Sequence, residues 1–201
     1  MILDNIEKIL FTPKTFFLEK KDCDWKEPVS VFIVVSLIYL TFFTIVLFLY
    51  SIVNNVNQPL TLIKFLYSIF YPLFSNLCIF VLLGILISLL LYAFYMKEEF
   101  LKVLMVLFFT QVLWIFFVGI STTFSMTIPF GVHYDMLIGF WYLYQIIGLS
   151  WIIHRIITGV TIVVDIPYKE GIIPVGVPSV IFSYFYLEIT GLFQHIPSWF
   201  F

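Results

Sequence analysis

Charge is what this chain has least of. Of its 201 residues, 11% are Asp, Glu, Lys or Arg, where soluble domains carry about 25%. The net charge is only −2 and no clustered basic surface is visible, which excludes a nucleic-acid footprint. There are two cysteines, too few for a disulfide framework, and neither Cys23 nor Cys78 stands in a CxxC or His/Cys spacing that would hold zinc. Catalytic patterns are missing as well. No long apolar run contains an aspartate, and neither an HExxH sequence nor a GxSG-type nucleophile turn occurs. A general acid and base that reach one reacting atom therefore have no source within these runs. The chain reads as no enzyme, with no cofactor and no metal.

Hydrophobic length is what it has most of. Apolar residues make up 62% and aromatic residues 21%, and mean hydropathy is +1.10. Between Glu27 and Lys64 not one Asp, Glu, Lys, Arg or His occurs, while the bilayer core needs only about 20 apolar residues. Residues 29–50 read as a first transmembrane helix. By the same criterion 71–95, 103–120, 137–157 and 172–193 are four more. The expected fold is all-α: a polytopic five-transmembrane-helix bundle, residues 29–201, behind a short amphipathic segment, residues 1–28.

Five spans put the two ends of the sequence on opposite faces, and the basic residues then separate. Lys8, Lys14, Lys20, Lys21, Lys26, Lys97, Lys102, Arg155 and Lys169 fall on one side, and only Lys64 on the other. The positive-inside rule makes the first side cytoplasmic, with the N-terminus in and the C-terminus outside. On that topology Cys23 and Cys78 lie on opposite sides and cannot pair. Eleven charges precede the first apolar run, too many for a cleaved signal, so the first span reads as an uncleaved signal anchor.

The first 27 residues predict two short surface helices. Ile2, Ile6, Ile9 and Leu10 share one helical face opposite Asp4, Asn5, Glu7 and Lys8, the pattern of a helix lying in a membrane interface. Thr12 is positioned to cap a second helix with Pro13 at its first position. That helix presents Phe16 and Phe17 to lipid or to the bundle. Outward loops are expected at 51–70, with a short re-entrant or interfacial helix at 60–69, and at 121–136.

The fifth span is the most broken. Pro174 and Pro178 each remove a backbone donor near its cytoplasmic end, which predicts a kink packed in protein. Gly176, Ser179, Ser183 and Thr190 form a stripe of small residues along it, as Gly84 and Ser88 do in the second span. Such stripes are where helices approach closely in lipid, within the bundle or between copies.

Polar side chains within spans are the remaining candidates. Gln111 and Gln145 fall near the midplane and predict a hydrogen bond between the third and fourth spans. Glu188 lies near the outer end of the fifth, a structural carboxylate or a proton or cation site, with Asn76, His133 and Asp135 at similar depth. His154 and Arg155 read as anchors at the cytoplasmic end of the fourth span.

Local motifs then add a resemblance. Thr12-Pro13-Lys14-Thr15-Phe16-Phe17, followed by Trp25-Lys26-Glu27-Pro28 at the entry to the first span, resembles the YIP family of Ypt/Rab-interacting membrane proteins, in particular its short prokaryotic branch. Trp141-Tyr142-Leu143, Gly148-Leu149, the turn Tyr168-Lys169-Glu170 and Pro174 are similar to that family's last two spans. In eukaryotic members a Gly-Pro pair precedes the first span, and Glu27 replaces that glycine here. The resemblance implies a membrane-embedded scaffold or adaptor in trafficking or membrane organisation, forming homo- or hetero-oligomers in the lipid bilayer. Some members bind prenylated small GTPases; the short cytosolic part argues against that partner here, and no GTPase-contact residue is carried over. Phe16, Phe17, Gly176, Ser179 and Ser183 are the expected interaction surfaces. The rival reading is a small carrier or channel for ions, protons or lipids that uses Gln111, Gln145 and Glu188.

Overall fold

Each long apolar run satisfies its backbone hydrogen bonds within itself by becoming a helix. The computed structural model describes the backbone of residues 2–53, 62–127 and 134–189, and side chains chiefly of 4–42, 77–114 and 143–185. Among these residues the chain is all-helical. α1 (Ile2–Phe11) and α2 (Pro13–Lys20) precede four long helices, α3 (Lys26–Val53), α4 (Leu62–Tyr95), α5 (Phe100–Thr127) and α6 (Tyr134–Val164). A single turn, α7 (Tyr168–Gly171), then leads through a π-helical turn (Ile172–Gly176) into α8 (Val177–Ile189).

The helices run further than the apolar stretches suggest. Much of the expected loop at 51–70 is helix, because α3 continues to Val53 and α4 begins at Leu62. The second expected loop shrinks likewise, between Thr127 and Tyr134. α6 runs seven residues past position 157, carrying His154 and Arg155 in its body rather than at its end. It stops where Asp165 adopts a left-handed φ of 57° and the Ile166 N–H donates back to the Thr161 carbonyl at 3.0 Å, a Schellman cap built on Asp instead of Gly. The expected break at Pro174 takes the form of the π turn, in which the proline's missing N–H is absorbed. Residues 190–193 of the expected fifth span lie outside the described residues.

α5 is the axis of the bundle. It packs against α3, α4 and α6, and residues 103–114 are buried on every side. α8 and the π turn lie against α4 and α6, and α2 lies against α6. Ile9, Phe16 and Phe17 join the same core as the long helices. Two described stretches, Leu77–Tyr95 in α4 and Leu143–Val164 in α6, are long and apolar enough to cross a membrane by length and composition.

Candidate functional site

The N-terminal hairpin contributes most to one end of the molecule. Pro13 opens α2, but the Thr12 hydroxyl makes no cap bond and reaches back to the Lys8 carbonyl at 3.4 Å. Pro13, Phe16 and Phe17 form the buried side of α2. The two rings meet edge to face at 5.2 Å, and Phe16 meets Phe109 of α5 at 5.0 Å. Phe17 lies against Gly159 of α6, where a Cβ would stand 2.8 Å from the ring and 2.6 Å from Val106 Cγ1. Glycine there opens the α5–α6 groove to the aromatic pair. Phe16 and Phe17, expected as an interaction surface, are instead an internal wedge, wholly buried in the chain's own core.

Polar contacts fasten the wedge. Arg155 Nη2 donates to the Leu10 carbonyl at 2.8 Å, satisfying a carbonyl at the end of α1. Glu27 accepts from Lys20 and, at 3.2 Å, from Asn5 Nδ2. Lys8 pairs with Glu19 at 2.6 Å, and Lys21 with Asp165. Lys21 holds the Asp165 carboxyl below the usual carboxylate range, with Lys97 and Lys102 adding to the effect. The N-terminal segment, the α4–α5 turn and the α6–α7 turn thus converge at one end. Beside them a pocket of about 320 Å³ is lined by Lys21, Cys23, Trp25, Lys102 and Met105 among others. Burial pushes the Cys23 thiol up, and Glu27 adds to it.

The small-residue stripe of α8 is also spent internally. A Cβ on Gly176 would lie 3.2 Å from Ile157 Cδ1. Ser179 and Ser183 are buried, and their hydroxyls donate to the Val175 and Ser179 carbonyls at 2.7 and 2.6 Å. These three residues, expected as interaction surfaces, face the chain's own helices because the kinked segment lies against α4 and α6. Thr190, His133 and the side chains of Glu188, Asn76 and Asp135 lie outside the described residues.

Gln111 and Gln145 are both buried, but the expected bond between them does not form. Gln111 Nε2 donates to Ser36 Oγ at 3.1 Å and ties α5 to α3 rather than to α6. The register of α5 on α6 explains why. Gly159 faces Val106, and Gly148 lies under the ring of Phe117. Gln145 therefore stands opposite a point about nine residues beyond Gln111, roughly 14 Å along the axis. Ser36 is the signal in the sequence for this bond: a polar residue inside the apolar run 29–50, as far from that run's start as Gln111 is from the start of 103–120 to within one residue.

Among the described residues no group of three or more His, Cys, Asp or Glu could hold a metal ion. No protein-family model, curated protein or solved structure matches this chain.

Proposed function

We propose that the chain is a five-span membrane protein of the YIP type, N-terminus cytoplasmic and C-terminus outside, that works without catalysis as a scaffold or adaptor. The observation that carries the membrane reading is a belt of exposed apolar side chains around a fully buried axis. Ile33 and Leu37 on α3, Leu82 and Leu89 on α4, Leu143 and Ile147 on α6, and Val177 and Val180 on α8 all face outward. Soluble monomers rarely expose contiguous apolar patches beyond a few hundred Å²; a bilayer covers them without cost. α3 and α5, each of 28 residues, exceed the span length, and the lysine-bearing segments gather at the end that the positive-inside rule assigns to the cytoplasm.

The motifs around Thr12–Phe17 and Tyr168–Pro174 carry the YIP assignment. With Phe16, Phe17 and the α8 stripe spent internally, the faces left for a partner or a second copy are the outward ridges of α3, α4, α6 and α8. The hairpin is wedged into the bundle, which supports leaving out a GTPase partner. The carrier reading is weakened by the distance between Gln111 and Gln145, since one polar path would have to join them.

Affinity capture from the native membrane, read with the mass of the detergent-solubilised protein, tests this. A stoichiometric protein partner or a defined oligomer is the expected result. A lone monomer that conducts ions in proteoliposomes, with flux abolished by Glu188→Gln, overturns it in favour of the carrier.

A further inference from the structure

The outward ridge of α6 changes character along its length. Leu143 and Ile147 are aliphatic, Trp151 follows one turn later, and His154 one turn after that, all exposed. Arg155 sits beside this ridge with its guanidinium 5.4 Å from the Trp151 ring centre. His154 Nδ1 and the exposed Tyr168 hydroxyl share a hydrogen bond of 2.6 Å. The N-terminal hairpin presents a matching edge: Phe11, the last residue of α1, and Lys14 and Leu18 of α2 are exposed, while Phe16 and Phe17 are buried.

The charges that bear on His154 are those of Arg155 and Lys14, both positive. Neither has a carboxylate partner among the described residues, whereas Lys8, Lys20, Lys21 and Lys102 each have one. Cationic and titratable groups crowded without an acid repel one another and leave room for an anion from outside the chain. Tryptophan and tyrosine at the edge of an apolar belt are residues of the lipid headgroup zone, and Phe11 and Leu18 supply the apolar contact of an interfacial helix.

We propose that the face shared by α2 and α6 binds the phosphate of an anionic phospholipid in the adjoining leaflet. Lys14, His154 and Arg155 receive the phosphate, Trp151 and Tyr168 flank it, and Phe11 and Leu18 enter the acyl boundary. The proposal rests on the membrane reading above, and the headgroup chemistry is the part it adds.

The full chain in phosphatidylcholine nanodiscs, doped with either brominated phosphatidylglycerol or brominated phosphatidylcholine, tests it. Bromine quenches nearby tryptophan, and the contribution of Trp151 is the difference between wild type and Trp151→Phe. Quenching of that contribution by the anionic lipid is expected at a mole fraction about fivefold below that needed of the zwitterionic one. Lys14→Gln with His154→Gln, two exposed changes that leave the Arg155 to Leu10 bond in place, should remove the preference. Equal quenching by the two lipids overturns the headgroup site while leaving the membrane reading intact. Absence of quenching of Trp151 by either overturns the proposal, and the membrane reading falls with it only when the remaining tryptophans are unquenched as well. Loss of the preference in millimolar inorganic phosphate shows that the face takes a soluble anion and overturns the lipid as its ligand.

Discussion

α4 and α5 are consecutive, antiparallel and packed on one another, and in both more than half of the residues are Leu, Ile, Val or Phe. Their burial is opposite. Leu82, Ile85, Leu89 and Phe94 of α4 look outward, while α5 hides residues 103–114 all the way round. A helix that is apolar on every side can be either the centre of a bundle or its wall. Position decides between them, and here position follows from neighbours: α5 has α3, α4 and α6 around it, with the Phe16 ring closing the remaining gap against Phe109.

The contrast can be broken most severely from inside. Phe109 is completely buried, so Phe109→Ala should cost about 3–5 kcal/mol, whereas Leu89→Ala on the outer wall should stay within about 0.5 kcal/mol. Thermal unfolding of both variants in detergent measures the difference, and equal losses would show that α5 is not the axis. Leu82→Lys tests what the wall faces. At mid-span in lipid a lysine raises the insertion free energy by about 3 kcal/mol, readable as a loss of membrane-integrated protein in an insertion assay; unchanged insertion would mean the wall faces water or protein.

A smaller effect is expected where α2 meets the axis. Gly159→Ala places its methyl against Val106 and Phe17, and overpacking of this kind costs about 1–3 kcal/mol. Limited proteolysis should then cleave near Lys14 and Lys20 sooner than in wild type. Resistance equal to wild type would show that the hairpin does not depend on the groove.

The smallest effect is electrostatic and lies at the end where Lys21, with Lys97 of the α4–α5 turn and Lys102 of α5, acts on Asp165. Its carboxyl titrates below the ordinary value, so the stabilisation it gives is present above that value and is lost as pH falls through the folded-state pKa. Wild type should melt slightly above Asp165→Asn at about pH 6, and the gap should narrow as pH falls below the ordinary carboxylate value. A gap that persists in acid would assign the difference to something other than the pair with Lys21.

Sequence reading reached the helical class and the break at Pro174, because apolar length and missing donors are local properties. It failed where the answer depends on a neighbour. Arg155 reads as the end of a span, yet one of its guanidinium nitrogens holds the Leu10 carbonyl and α6 continues beyond it. Gln111 and Gln145 match in type and approximate depth, and only the helix register, set by Gly148 and Gly159, separates them. Phe16 and Phe17 fit lipid and protein equally well as side chains. Which face of α2 turns inward is decided by Gly159 on α6.

The bonds that hold the hairpin have one more property. Arg155 and Leu10 are 145 positions apart, and Lys21 and Asp165 are 144 apart. During synthesis, α1 and α2 leave the ribosome before any of the residues they dock against. They must wait, with two phenylalanines uncovered, until α6 is made. The earliest helices of the sequence therefore cannot be fully seated until late in synthesis, and their docking reports that α5 and α6 have come together. A chain stalled before α6 would leave that aromatic pair bare, which is a hydrophobic mark of the kind quality-control proteases and chaperones bind.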